Sequence, residues 1–526
     1  MLTKITLLRF ISHGHYGNGL RSDIGYDIDK NGSKVYVNIG PVETKRLIPN
    51  DFIPKIDVTI DNVTLKGITN SSNGGGMFLN NVGWNIPSLL MNNTVIDNCA
   101  TGISGGAGYI KDILFNKIIN SKFSGNKAVS GYGGTFHFEN STNIEFENVT
   151  INASVSYYAA ISIQKAENFV AKDSTIANCS GTGYSVLVFT NTNNFEIQRC
   201  LIDKCSTSSS YGSIFVNSVS QKGIVENCVF SFNTGVQGGA ILINSISEFY
   251  CNRCLFFFCT APTAGAIYAS GTTKYTCKES CFFRCQASSS YHAYYLTLSA
   301  ASTVSLNYSA IIECGITNTG SYSAYINQGT IEIPLSNFSS SQASSYSCLR
   351  LTTSNIGFLQ YSTIFNHSST NSPVLLIQAS SYPIIIQYCN VLKNNAGSST
   401  IFQFSASTTT IQVLFCIFSL NSCAQIFSAS GPTLVSNSFI NHSTTVFSGS
   451  VSFQNTVMGI TETYALKHVS TFGCEAAIPY QALEIPCQTQ PNPPSTCICP
   501  SDVQASTLSQ FSSILQLVIS SLSSLE

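Results

Sequence analysis

Twenty cysteines and a scatter of carboxylates are the residues of this 526-residue chain with most capacity for chemistry. The cysteines keep a beat. Cys200, Cys228, Cys254 and Cys281 recur every 26 to 28 residues, and Cys179/Cys205, Cys251/Cys277, Cys259/Cys285 and Cys389/Cys416 repeat the interval. Thiols stacked on successive turns of a repeat lie about 4.8 Å apart, within the Cα range of a disulfide. One reading is therefore a ladder of inter-turn disulfides in an oxidising compartment. Cysteine is also a small core residue, so a stack of buried thiols accounts for the spacing equally well. Cys474, Cys487, Cys497 and Cys499 lie in a Pro-rich stretch beyond the repeat and read as disulfide formers. A zinc site from Cys251, Cys254 and Cys259 is not needed, because the repeat already explains their spacing; no metal or cofactor is assigned.

Polysaccharide cleavage needs clustered acids, either a carboxyl pair or calcium-holding Asp/Glu beside a basic residue. The chain has no Asp between Asp203 and Asp502, and Glu226, Glu248, Glu279, Glu313 and Glu332 stand apart. The early acids are Asp97, Asp112, Glu139, Glu145, Glu147, Asp173 and Asp203. Asp97 and Asp203 share a repeat position four turns apart, about 19 Å, too far for a catalytic pair. Glu145 and Glu147, in "IEFEN", fit a solvated strand face. The histidines of "SHGHYGNG" (Ser12 to Gly19) fit a polar loop. No catalytic residue is assigned.

The elements that carry these residues follow from the repeat. A bulky apolar residue two places after a small or thiol residue marks each unit, at Leu65, Ile96, Phe123, Ile151 and onward through Phe256, Phe283 and Phe418. The mean interval is about 27 residues. A second marker runs in phase: "GGTF" at Gly133, "GGAI" at Gly238 and "AGAI" at Ala264. Two landmarks in phase define a repeat protein. Each unit holds three short β-branched and aromatic runs separated by Gly, Ser, Thr and Asn, with no helical periodicity. The reading is all-β: a right-handed parallel β-helix, three short strands and about 27 residues per coil, roughly 15 coils, about 70 Å long.

Residues 1–55 are expected to cap the N-terminal end of the solenoid, 56–460 to form the coil, and 461–526 to be a Pro/Cys-rich segment with a Ser-rich tail. Coils shorten after Phe418, at Phe439 and Val457. In the tail, Phe511, Ile514, Leu515, Val518, Leu522 and Leu525 have the spacing of a short amphipathic helix, or belong to a disordered end. Charged residues make up 10% of the chain and the net charge is −1, which excludes an electrostatic footprint for nucleic acid. No segment reads as a transmembrane helix, so membrane attachment would need an anchor not visible in this chain. The start, "MLTKITLLRFIS", reads as a poor or truncated signal peptide, without a convincing small-residue cleavage site. Asn-x-Ser/Thr sequons, among them Asn62, Asn140, Asn148, Asn178 and Asn366, suit an extracellular glycoprotein, and Asn/Ser/Thr richness also generates them by chance.

"FSFNTGVQGGAILI" (Phe230 to Ile243) joins Phe-x-x-Asn to Gly-Gly-Ala-Ile, and "FSGN" at Phe123 with "GGTF" at Gly133 is a looser copy. These paired tetrapeptides resemble the repeats of chlamydial polymorphic outer membrane proteins. The cysteines, sequons and missing C-terminal barrel make the chain more similar to the polymorphic-membrane-protein-like surface proteins of trichomonad protists. The resemblance implies surface display and adhesion.

Tyrosines recur ahead of one strand, among them Tyr184, Tyr211, Tyr322 and Tyr346. Such rows can stack on sugar rings, or cover the outside of the coil and stack on each other. The expectation is a non-enzymatic, extracellular or cell-surface adhesin-like protein binding glycans or cell-surface proteins. A polysaccharide lyase or hydrolase, and a structural spacer or variable coat protein, are the alternatives.

Overall fold

The computed structural model describes residues 55–459 apart from short breaks at 82–84, 209–210, 316–318, 371, 380–381, 407–408 and 443–445, together with four short strands between Thr3 and Val37. The 461–526 segment, with its four cysteines and apolar tail, lies outside the described residues, as does "GHYGNG".

One coil shows how the sequence makes the fold. Phe136–Glu139 and Asn143–Glu147 are two strands whose inward residues, Phe136, Phe138, Ile144 and Phe146, alternate with outward polar ones. A third strand, Thr150–Asn152, sends Ile151 inward. A two-residue strand, Val155–Ser156, and a loop then lead to Ile161–Gln164 of the next coil. Each strand pairs in parallel with its counterparts above and below. The described coil is thus an all-β parallel solenoid. About 13 turns of roughly 27 residues separate Leu65 from Phe418, and two shortened ones follow. Among the described residues there is no helix.

Single left-handed residues make the corners. Asn140 (φ 54°), Asn148 (φ 53°) and Ala153 (φ 52°) are the three corners of this coil. Asn tolerates that conformation better than other non-glycine residues, which explains the Asn-rich punctuation. It also accounts for many of the sequons. In Asn62-x-Thr64, Asn148-x-Thr150 and Asn178-x-Ser180 the Asn is a corner and the hydroxyl residue lies on the following strand.

The register corrects three markers. Phe256 pairs with Phe282, so Phe282 points inward and Phe283 outward. Likewise Ile440, not Phe439, continues the column after Phe418, and Met458, not Val457, follows it. In "CFF" both rings are apolar, so residue type does not distinguish the inward one. At the N-terminal end, Thr3–Leu8 pairs in parallel with Lys55–Asp61 and Ile11–His13 with Thr64–Lys66, while Tyr26–Ile28 and Val35–Val37 form an antiparallel pair.

Candidate functional site

The thiol columns come first. Cys200, Cys228 and Cys254 occupy one position of successive coils, just before the third strand. Cys281 does not belong with them. It pairs with Leu255 and packs outside the sheet with Val229 and Ala310, and Ser280 takes the column position. The cause is the same one-residue slip that misplaced Phe283. Ser309, Ser336, Ser362, Cys389, Cys416 and Ser438 continue the column. Cys254 Sγ donates to Val225 and Asn252 carbonyls at 3.4 and 3.3 Å. Ser280 Oγ makes the equivalent bonds to Cys251 and Lys278 at 3.2 and 3.0 Å, and accepts from the Cys254 amide at 3.1 Å. Thiol and hydroxyl therefore do the same job at this corner. Cys200, Cys228 and Cys254 are free, buried thiols. Burial first, then the neighbouring thiol, pushes Cys205, Cys251 and Cys259 up, which keeps them protonated and poorly nucleophilic.

A second column explains the motif that carried the family resemblance. Asn233, of the Phe-x-x-Asn tetrapeptide, donates to the Ile202 carbonyl at 2.8 Å and accepts from the Cys205 amide at 3.0 Å. Asn126 does the same with Ile96 and Cys99. Of the paired glycines, Gly238 is left-handed (φ 63°) and Gly239 lies where a Cβ would collide with the Gly265 and Thr260 carbonyls. Both tetrapeptides are devices of the coil.

The acids are spread out and engaged. Asp97 and Asp203 are four rungs apart, accepting from Ser124 and Ser231 at 2.5 and 2.6 Å. Asp173 forms a bidentate pair with Arg199 (2.6 and 2.7 Å), which holds its carboxyl below the usual range. Glu139 takes Lys111 at 2.8 Å and the Tyr109 hydroxyl at 2.5 Å. Partial burial works to raise its pKa, and these two bonds outweigh it and lower it. Glu145 and Glu147 share Lys117 at 3.2 and 3.3 Å on a solvated strand face. Among the described residues no cluster of three or more His, Cys, Asp or Glu could hold a metal, and no helix is long and apolar enough to cross a membrane.

The tyrosines gather on the outside. Tyr132, Tyr158, Tyr184 and Tyr211 form one ladder with ring centroids 4.3, 4.9 and 5.0 Å apart. Tyr184 and Tyr211 lie over an apolar cluster of Ala159, Val188, Phe215 and Leu242 on the outer side of the sheet. Tyr291, Tyr322 and Tyr346 form a second ladder, at 5.4 and 5.2 Å, flanked by Tyr295 and Tyr325. Interplanar angles of 19° and 3° in that ladder mean the rings stack on one another. Ring faces are used within each ladder, and edges and hydroxyls are what the half-buried rings present outward. The predicted residues thus fall into two sets, Tyr184 with Tyr211 and Tyr322 with Tyr346.

Two features escaped sequence reasoning. Tyr361, Tyr388 and Phe415 stack at 5.0 and 5.0 Å, each at a left-handed corner (φ 49°, 52° and 54°). Bulky residues are rare there, but the 27-residue spacing was available as a signal. The other feature is Arg350, whose guanidinium lies 4.8 Å from the Tyr325 ring centroid and 5.4 Å from that of Tyr322. Asn191, Ser218, Ser220, Ser247 and Thr273 line a shallow polar groove of about 490 Å³.

Comparison with known proteins agrees on the fold. Residues 111–283, about a third of the chain, match a family model described as a right handed beta helix region. That stretch is a right-handed β-helix by sequence as well as by coordinates. No curated protein and no solved structure matches the chain.

Proposed function

We propose that this chain is a non-enzymatic interaction protein of the cell surface or extracellular space, adhesin-like, contacting glycans of a host or neighbouring cell along its outer tyrosine face. The observation that carries the reading is the apolar cluster outside the sheet, roofed by Tyr184, Tyr211 and Tyr268. A solenoid needs apolar residues inside; a cluster outside the sheet under a roof of aromatic rings is not required by the coil, and that supports an interaction surface along it. The ladder sets phenol hydroxyls and ring edges at intervals of about 5 Å, a comb suited to a polymer that repeats along the rod. The resemblance to polymorphic outer membrane protein repeats supports surface display. The dispersed, individually engaged carboxylates speak against two-carboxylate hydrolysis.

The test is binding of the full chain to immobilised mucin-type and plant glycans, comparing wild type with Tyr184→Phe/Tyr211→Phe. These changes keep the stack and remove the hydroxyls. The reading expects weaker binding at unchanged thermal stability. Binding indifferent to both hydroxyls, or no binding to any glycan, contradicts it and favours a spacer or coat role.

A further inference from the structure

We infer that Arg350 and the tyrosines around it form a recognition site for an oxyanion carried on a sugar, a carboxylate or a sulfate ester. This rests on the glycan reading above and names the ligand class. Four arginines lie in the described coil. Arg199, Arg253 and Arg284 each pair with a carboxylate one turn along, Asp173, Glu279 and Glu313, at 2.6 to 3.0 Å. Arg350 is the exception. Among the described residues it has no acidic partner, and the sequence contains no Asp or Glu between Glu332 and Glu462. The uncompensated guanidinium is not out in solvent either. It is half-buried against Tyr322 and Tyr325, with Nη1 donating to the Tyr322 hydroxyl at 2.9 Å and Nη2 to Gln378 Oε1 at 3.0 Å.

Those bonds fix the plane of the fork. Nε is buried without a partner, so that side of the guanidinium faces the protein, while the residue as a whole stays half-exposed. Each terminal nitrogen keeps one further N–H. A planar, preorganised fork with two spare donors matches a carboxylate or sulfate. The ring stack of Tyr291, Tyr322 and Tyr346 runs past it, and Gln403, two rungs along, lies 3.5 Å from the Tyr346 hydroxyl, so neutral hydroxyls of the same sugar chain have partners on nearby rungs. Partial desolvation by the tyrosines strengthens the attraction for an anion relative to an exposed lysine. The nearest other described cation downstream, Lys393, sits over the outward ring of Phe365 on a different strand.

The experiment titrates the full chain, and Arg350→Gln and Arg350→Lys variants with matched circular dichroism, with three oligosaccharide sets: uronate-containing, sulfated and neutral. Free glucuronate and methyl sulfate are titrated in parallel by tyrosine fluorescence. The site predicts preference for one or both acidic sets, a loss of about tenfold or more in Arg350→Gln for those sets alone, and a smaller loss in Arg350→Lys, which keeps charge without the fork. The two acidic sets tell carboxylate from sulfate. Equal binding of acidic sets by wild type and Arg350→Gln overturns the proposal. If neutral glycans bind and depend on Tyr184 and Tyr211 while Arg350→Gln changes nothing, the glycan reading stands and this inference falls. If no oligosaccharide binds but the free anions do, and only with Arg350 present, the anion site stands and the glycan reading falls.

Discussion

Replacing Cys254 by serine separates the two meanings of the cysteine columns. The substituted hydroxyl would sit where Ser280 sits one coil later, with Val225 and Asn252 carbonyls already placed as acceptors. No buried polar group is left unpaired and no cavity opens, so the cost is expected below about 1 kcal/mol. Cys254→Ala loses both bonds and leaves a small void, for about 1–2 kcal/mol. A structural disulfide at this position would instead cost about 2–5 kcal/mol on removal by either change. Urea unfolding of wild type and both variants, with and without reductant, gives the comparison. Hydrogen exchange of the Val229 and Leu255 amides would report the local effect, since a long repeat array need not unfold in one step. A loss above about 2 kcal/mol in Cys254→Ser, or a wild-type midpoint that falls with reductant, would refute the equivalence of thiol and hydroxyl in this column.

Other outcomes follow from the same geometry. Asn233→Ala should cost about 1–3 kcal/mol, because the Ile202 carbonyl and Cys205 amide lose their partner in the core; thermal unfolding measures it, and a neutral result would remove the Asn column as a support. Burial holds His137, His292 and His367 neutral, with pKa values lowered from 6.5 to about 4. The unfolded chain therefore binds more protons between those values, so their stability contribution is complete above pH 6.5 and is lost as the pH falls toward 4. His367→Asn, the residue type that Asn394 and Asn421 supply in the same column, should flatten that acid loss; an unchanged profile would show that His367 does not contribute. Tyr388→Asn relieves a bulky left-handed residue and is expected to leave stability unchanged or raised. A loss of more than about 1 kcal/mol would mean that stacking on Tyr361 and Phe415 outweighs the backbone strain.

The coil was legible because its signals are local and repeated. Alternating apolar residues, Asn and Gly at corners, and a fixed interval each point to the same element. The four-rung separation of Asp97 from Asp203 could be counted from sequence for that reason. What failed was register at "CFF", where two adjacent phenylalanines satisfy the inward position equally and one residue of slip reverses the face. Cys281 was misassigned with it. Spacing alone could not say whether column cysteines are bonded, because a position that accepts serine and cysteine equally carries no signature of sulfur chemistry. Arg350 was invisible for a different reason. Its distinction is the carboxylate it lacks one turn away, and only the stacked coils show that Arg199, Arg253 and Arg284 have one.

The most direct test of the central claim, that this rod binds glycans without cutting them, is to incubate the purified chain with mucin-type glycans, pectins and other acidic polysaccharides and record bound protein and newly formed chain ends in the same wells. Retention with no new ends is the predicted result. New ends that disappear on replacing Asp97, Asp173 or Asp203 would contradict it and place an active site in the early coils.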